Sequence, residues 1–388
     1  MRRIAFTVLV VASLATSFYV FEPTSSARSW CARELVVHEW GVHVFTGSGA
    51  TRVAAPTGLP NYFHNQHSGV DVTDGPPVSR LPRDNGDRLL PVLGFYLGSA
   101  ESAVPVGIRV GFSRGTPTGW YPQAPPITEV RSPAVRASQL EWPNLTLSST
   151  PRHTRATTNV AWVNELRRID EAAWVNNSVE SERFVFYEGR TSETAALQLT
   201  RGPTYTNARR QFVLRNTTPH PVHNVFFVLN ERGATFVTSF PAVPAGASTT
   251  FVVEDHVIGG SANARSTNVQ AQIRATLVDP AHLDVPPATF DPSNCTMMRD
   301  PAVPVTASTG HALFAAEADT LMRAWGARFA DAAGATILYR EDAALLDAEM
   351  PLSVYTDMYH FVTLHRASLA LIENVQLPRD PGPLSFPE

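Results

Sequence analysis

Residues 104–112, Val-Pro-Val-Gly-Ile-Arg-Val-Gly-Phe, carry an apolar side chain at every second position. This period of two predicts a strand with one buried face. Further apolar runs, separated by turn sequences such as Gly202-Pro203 and Pro244-Ala245-Gly246, predict more short strands; they are Arg183–Tyr187, Ala195–Leu199, Gln211–Leu214, Val225–Leu229, Thr235–Phe240 and Thr249–Val253. Short strands at this spacing are typical of antiparallel sandwiches.

The segment Phe212–Glu254 adds detail to this prediction, because its turns at 214–219 and 244–248 resemble those of extracellular immunoglobulin-like modules. Residues 269–277 also alternate cleanly, with Val269, Ile273 and Leu277 among the apolar positions, and predict another strand. We therefore expect a mainly β chain. Antiparallel, immunoglobulin-like β-sandwich modules should be followed by a small α+β C-terminal module.

The predicted C-terminal module covers residues 311–377. It contains a helix from about His311 to Ala333, whose apolar face includes Leu321, Trp325 and Phe329, with Gly334 as its C-cap. Strands are predicted at 336–339, 352–355 and 367–372. A further helix is predicted inside the β region, around an apolar face made of Trp162, Leu166, Ile169, Ala172 and Ala173. The predicted divisions are a signal peptide at 1–27, a β-rich region at 28–278, a Pro-rich connector at 279–310 and a loose tail at 378–388.

The N-terminus has the features of an export signal. Arg2 and Arg3 precede an apolar core from Ile4 to Ala15, and Ser25-Ser26-Ala27 offers small residues for cleavage. We expect cleavage after Ala27 and a secreted or periplasmic protein. An uncleaved anchor is the alternative, because residues 4–21 carry no charge and reach the shortest length of a membrane span. No later segment of the sequence predicts a span.

The mature chain has two cysteines, Cys31 and Cys295. In an oxidising compartment two thiols are more often a disulfide than two free groups. Ligation of a metal by a cysteine pair needs a close spacing such as C-x-x-C, which is absent. We therefore predict a bridge between Cys31 and Cys295.

Composition excludes several kinds of chemistry. None of the 31 basic residues is lysine, which rules out a Schiff-base lysine and a Walker-A lysine. The net charge is −4 (31 − 35) and no basic stripe is present, so we expect no nucleic-acid partner. No G-x-S-x-G elbow or phosphate-binding glycine run occurs, and no cofactor is expected. Whether the chain is an enzyme stays open.

The run His38-Glu39-Trp40-Gly41-Val42-His43 is the first candidate site. Its histidines are five residues apart and therefore lie on opposite faces of a strand, unlike the two histidines of H-E-x-x-H zinc peptidases. In a functional interpretation, His38 and Glu39 are candidate catalytic residues. In a structural one, they pair with backbone or arginine groups while Trp40 packs. We expect the Trp40 face to be the core face and Glu39 to be exposed.

The same run carries a family resemblance. H-E-W-G resembles the opening signature of an uncharacterised family of secreted bacterial proteins, in which T-F-T follows. Further landmarks of that family are similar in order, from about residue 36 to 375; they are Trp120-Tyr121-Pro122, Leu140-Glu141-Trp142, Phe184–Gly189, Trp325, Leu338-Tyr339 and Met350-Pro351-Leu352. The resemblance implies a shared architecture but no activity. Val42, His43 and Val44 depart from the signature, so a ligand role of His43 would be a property of this chain alone.

A second candidate lies at His64 and His67, with Asp71 nearby. Two histidines three residues apart can meet on one helical turn, and a carboxylate could complete a metal site. Gly and Pro residues on both sides favour a solvated loop instead. No metal is therefore favoured, and His64, His67 and Asp71 remain the alternative.

Aromatic residues suggest a binding surface. Trp40, Trp120 and Tyr121 lie in the first part of the chain beside Gly or Pro, and exposed aromatic rings on a sandwich often bind sugars or proteins. Our leading hypothesis is a secreted envelope or extracellular protein that binds a protein partner or a glycan. The alternative is a metal-assisted hydrolase that uses His38, Glu39 and the His64/His67 loop.

Overall fold

The computed structural model describes residues 33–46, 60, 62–65, 86–97, 103–124, 138–191, 193–206, 209–279, 309–310, 312–357, 360–375 and 377. Strands account for 49% and helices for 21%, which confirms the prediction of a mainly β chain. Among these residues, no helix combines the length and the apolar character that crossing a membrane requires.

The strands of the described residues form three sheets. The central sheet has the spatial order β15 (Val257–Ile258), β13 (Ala234–Val243), β12 (Val222–Glu231), β17 (Gly334–Arg340), β19 (His360–Val375), β1 (Arg33–Thr46), β3 (Gly86–Leu97), β9 (Val185–Thr191), β5 (Gly115–Tyr121), β2 (His64–Asn65), with β16 (Thr309–Gly310) beside β19. A five-stranded sheet has the order β18 (Leu352–Thr356), β4 (Val104–Gly111), β6 (Gln139–Ser148), β7 (Trp174–Asn176), β8 (Ser181–Glu182). A three-stranded sheet has the order β10 (Leu197–Arg201), β11 (Gln211–Asn216), β14 (Ser248–Val252).

The helices in the described part of the chain are α1 (Ala161–Leu166), α2 (Ala262–Val278), α3 (Ala315–Asp331) and α4 (Ala343–Glu349), and a 3-10 turn lies at Val253–His256. Side chains of α1, α2 and α3 share an apolar cluster with one face of the central sheet. The opposite face packs against the five-stranded sheet in one cluster and the three-stranded sheet in another. The central sheet is therefore a middle layer that is covered on both faces.

The segment 211–253 confirms the predicted sandwich. Its strands are divided between two facing sheets, because β11 and β14 belong to the three-stranded sheet while β12 and β13 belong to the central one. Apolar residues of both sheets meet in a single cluster, for example Phe212 and Phe251 with Phe227.

Strand β1 lies in the interior of the central sheet, between β19 and β3. It pairs in parallel with β19 without interruption from Arg33 to Thr46, and antiparallel with β3 on its other side. Trp40 and Val42 point to the helices, while Leu35 points to the five-stranded sheet. Glu39 is only 3% exposed, so the expectation that it faces solvent is wrong. The alternation had suggested one buried face, but a middle-layer strand has two.

The predicted C-terminal module contributes strands to the same sheet as the β-rich region. Within the central sheet, β19 pairs with β1 and β17 pairs with β12. The helix expected at 311–333 is α3, with Leu321, Trp325 and Phe329 buried. Gly334, placed as the C-cap, has a φ of +84° just after this helix, a conformation that glycine adopts at little cost. Strands β17, β18 and β19 match the three predicted strands.

The strand predicted at 269–277 is wrong, because these residues belong to the helix α2. Val269, Ile273 and Leu277 are its buried residues. They are four residues apart, a spacing that fits both a strand alternation and one helical face. Ser261 caps the helix by accepting a hydrogen bond from the Ala264 amide, so the helical N-terminal signal was present in the sequence.

Candidate functional site

The face of β1 toward the helices buries His38, which is 1% exposed. Its Nδ1 lies 2.7 Å from Oε2 of Glu317, on α3. The Tyr96 hydroxyl, from β3, donates to Oε1 of Glu317 at 2.6 Å, and the Phe314 amide donates to Oε2 at 2.9 Å. Both oxygens of this fully buried carboxylate are therefore engaged. We call His38, Tyr96 and Glu317 the His38 cluster.

Aromatic rings surround the His38 cluster. The ring of His38 stacks on Phe314 with centroids 4.5 Å apart, and His365, its neighbour on β19, lies edge-on at 5.2 Å. Burial, and then the charge of Glu317, raise the pKa of Tyr96. Tyr96 thus stays a neutral hydrogen-bond donor over the whole physiological range.

The opposite face of β1 carries a band of polar residues between two apolar clusters. Along β1, Leu35 and Val37 belong to the cluster under the five-stranded sheet and Phe45 to the cluster under the three-stranded sheet. Glu39 and His43 lie between them. On β19, Arg366 and Ser368 interrupt the same two clusters. The polar band comprises Glu39, His43, Thr191, Glu341, Asp347, Glu349, Arg366 and Ser368.

Glu39 closes one end of the polar band. Arg366, which is fully buried, donates to both oxygens of Glu39 and also to Asp347 of α4 at 2.8 Å. The Tyr187 hydroxyl of β9 donates to Glu39 as well. Burial alone would lower the pKa of Arg366, but the Glu39 carboxylate outweighs burial and holds that pKa above its usual value. Glu39 is thus held by protein donors, as in the structural interpretation of the motif.

His43 occupies the other end of the polar band and has no exposed surface. Its Nδ1 lies 3.3 Å from Oε1 of Glu341, and its Nε2 lies 3.1 Å from the Thr191 hydroxyl. Ser368 donates to Oε2 of Glu341 at 2.8 Å. Ligand atoms of His43, Glu341 and Glu349 all fall within 4.8 Å of one another. A nitrogen and two carboxylates from three separate elements therefore converge.

The structure does not bring the residues of the proposed hydrolase together. His38 and Glu39 point to opposite faces of β1. His64 lies on β2, four strand positions from β1 in the central sheet, which is about 19 Å at the usual strand spacing. His64 instead pairs with Glu180 at 3.0 Å. His67 and Asp71 lie outside the described residues.

His64 stabilises the charged form of the Glu180 carboxylate. Burial raises the pKa of Glu180, but hydrogen bonds from His64 and the Gln123 amide outweigh this and lower it overall. Asp342, beside the polar band, shows the same balance, with His223 and the Ala344 amide lowering its pKa against burial.

The three aromatic candidates for ligand binding lie in the core. Trp40 is 4% exposed, Trp120 1% and Tyr121 3%. Trp40 packs against the helices, and Tyr121 stacks on Phe63 with centroids 4.9 Å apart. An aromatic platform for a sugar needs exposed ring faces, so the expectation that these rings form one is wrong. The glycines beside Trp40 and Trp120 are themselves strand residues, in β1 and β5, and the proline after Tyr121 directly follows β5. Neighbouring Gly and Pro therefore did not indicate exposed loops here.

Two surface clefts are lined by other residues. One, of about 530 Å³, lies between the β12–β13 turn and the start of α2, and the other, of about 520 Å³, lies beside Trp174. Neither is lined by His38, Glu39 or His43. Cys31 and Cys295 lie outside the described residues, so their bridge stays a prediction.

Sequence reasoning missed the partners that complete both sites. Glu317, Glu341 and Arg366 are 279, 298 and 327 residues from the side chains they meet. No local spacing links residues so far apart. The parallel pairing of β1 with β19, the pairing of β17 with β19 and the packing of α3 on the central sheet bring the last part of the chain beside the first.

Comparisons with known proteins identify no relative. No family model matches the chain, and no curated protein matches it. A search of solved structures returned the Fcho1 Mu homology domain of Danio rerio with a bound Eps15 peptide. It has 7% identity and a TM-score of 0.31, over 89% of this chain and 97% of that one. At that score the similarity supports no inference about this protein.

Proposed function

We propose that this is an exported β-rich protein that binds a protein partner outside the cytoplasm. One observation carries the choice of a protein: the three-stranded sheet ends in β14, which pairs with β11 on one side and has no second neighbouring strand among the described residues. Its sequence, Ser-Thr-Thr-Phe-Val, holds no charge and no proline. Natural edge strands are usually protected by charged residues or proline. An edge without them can accept an extended peptide as an added strand.

The buried sites favour binding over catalysis by His38 and Glu39. Both side chains are enclosed by protein partners, and neither lines the clefts described above. Among the described residues, His38 and Glu39 lie on β1 and His64 lies on β2, four strand positions away, which is a further reason to prefer binding. Glycan binding is one outcome that the test can give. The aromatic rings that first suggested it are buried in the structure.

Photo-crosslinking along the edge strand tests the proposal. A photoreactive residue at exposed Thr250 of β14 should capture one discrete protein from the exported fraction of the native cells. The same residue at exposed Asn144, in the interior strand β6, should capture none. Capture at Thr250 that Ser248→Lys, a charge at another exposed position of β14, leaves unchanged would contradict a partner at β14. Glycan binding without protein capture would contradict it as well.

The same exported sample tests the compartment. Its intact mass should correspond to a chain beginning at Arg28, with Cys31 and Cys295 resisting alkylation until a reductant is added. Two alkylated thiols without reductant would remove the predicted disulfide, and an intact N-terminus would favour the anchor.

A further inference from the structure

The pair formed by His43 and Glu341 is longer than the other two histidine–glutamate hydrogen bonds among the described residues, His38–Glu317 and His64–Glu180. Charge-assisted N–H···O bonds are about 2.7–2.9 Å long, and His38–Glu317 matches this at 2.7 Å. His43 Nδ1 and Glu341 Oε1 are 3.3 Å apart although both side chains are buried. A histidine nitrogen and a carboxylate oxygen bound to one tetrahedral zinc, each at about 2.1 Å, are separated by about 3.4 Å. The observed distance therefore fits two ligands of one ion.

The third ligand comes from a separate element. Glu349 ends α4, and its carboxylate falls with His43 and Glu341 inside the 4.8 Å group. Three converging ligand atoms equal the number of protein ligands in an open zinc site. One imidazole with two carboxylates suits zinc or a similar transition ion. Calcium and magnesium prefer oxygen ligands alone.

Outer hydrogen bonds hold two of the three ligands in orientation. If the neutral His43 ring donates from Nε2 to Thr191, at 3.1 Å, its Nδ1 lone pair faces Glu341. Ser368 donates to the Glu341 oxygen that is turned away from His43, and the Glu341 amide donates to the Ser368 carbonyl at 3.0 Å. Such outer contacts set the tautomer and angle of metal ligands.

We propose that His43, Glu341 and Glu349 bind one divalent transition-metal ion, with zinc as the preferred ion. The site joins β1, the residue that follows β17, and the end of α4. It is independent of the partner proposed for β14, and it places a metal at the one histidine of the motif that departs from the family signature. The sequence alternative at His64, His67 and Asp71 is a different site.

Zinc binding to the full purified chain tests the site. After treatment with a chelator and dialysis, the wild-type protein should take up one zinc per chain. Glu349→Gln and His43→Phe should each weaken zinc binding at least tenfold. His64→Gln is the matched control, since it alters another His–Glu pair, and it should retain full zinc content. Zinc should raise the melting temperature of the wild type and of His64→Gln but not that of Glu349→Gln.

A further variant guards against a folding defect. Ser368→Ala removes only the hydroxyl that orients Glu341 and should weaken zinc binding by about tenfold. No zinc uptake by the wild type, unchanged affinity in Glu349→Gln and Ser368→Ala, or loss of zinc in His64→Gln alone would each overturn the proposal.

Discussion

His38 and His43 lie on the same strand, are both buried, and both turn Nδ1 toward a glutamate, yet their surroundings differ. On the helix face, Glu317 accepts from Tyr96 and the Phe314 amide and meets His38 at 2.7 Å. On the opposite face of β1, toward the two smaller sheets, His43 Nδ1 and Glu341 Oε1 lie 3.3 Å apart beside a second carboxylate. The first distance is that of a charge-assisted hydrogen bond, whereas the second fits both a long hydrogen bond and two ligands of the proposed ion. Burial alone therefore says little about what a histidine does.

The largest effects should come from removing a core side chain on either face of β1. Trp40→Ala should lower the free energy of unfolding by about 3–5 kcal/mol because it leaves a cavity beneath the helices. Glu39→Ala should lower it by about 3–5 kcal/mol because Arg366 is left buried without its main partner. Denaturant unfolding measures both.

The control for Glu39 is Asp170→Ala. Asp170 pairs with Arg183, but its side chain is 86% exposed, so the change should stay within about 0.5 kcal/mol. If Glu39→Ala lowers the free energy of unfolding as little as the control does, the face of β1 that carries Glu39 is open to water.

A smaller loss should follow Glu317→Gln in the His38 cluster. The amide keeps the shape of the carboxylate but has one acceptor oxygen instead of two. Either Tyr96 loses its acceptor, or His38 and the Phe314 amide lose theirs. We expect a cost of about 1–3 kcal/mol in denaturant unfolding. A variant as stable as the wild type would show that this cluster does not depend on the charge of Glu317.

The two histidines should respond differently in metal-free protein. His38→Asn should cost about 2 kcal/mol because it breaks a short hydrogen bond to a buried carboxylate. His43→Asn should cost about 1 kcal/mol, since its bond to Glu341 is long. Adding zinc should increase the difference in unfolding free energy between the wild type and His43→Asn. The difference between the wild type and His38→Asn should not change. Equal costs with and without zinc would erase the distinction between the two faces.

The smallest expected effect is that of acid. The pKa values of Glu180 and Asp342 are lowered in the folded protein, so their contribution to stability is present above the unfolded pKa of about 4. It is lost as the pH falls through the lower folded pKa. Melting temperatures should therefore drop below about pH 4, and less so in Glu180→Gln. An equal drop in that variant would exclude Glu180 as a source.

Much of the fold could be predicted from the sequence, because the spacing of apolar residues along the chain indicates which segments form strands and which form helices. Strand β4 follows the alternation of 104–112, and α3 follows the apolar face around Trp325. The prediction failed at 269–277, where alternation with buried residues four apart also satisfies a helix. Period alone cannot separate the two when the intervening positions are alanine.

The candidate site depended on tertiary structure. The sequence determined that His38 and His43 lie on opposite faces of a strand, because side chains alternate along any strand. It could not show that both faces are buried, which follows from the position of β1 as a middle-layer strand. Nor could it show that Glu317, Glu341 and Arg366 supply the partners, because the parallel pairing of β1 with β19 joins segments about 327 residues apart. Local spacing carries no information about contacts at that separation.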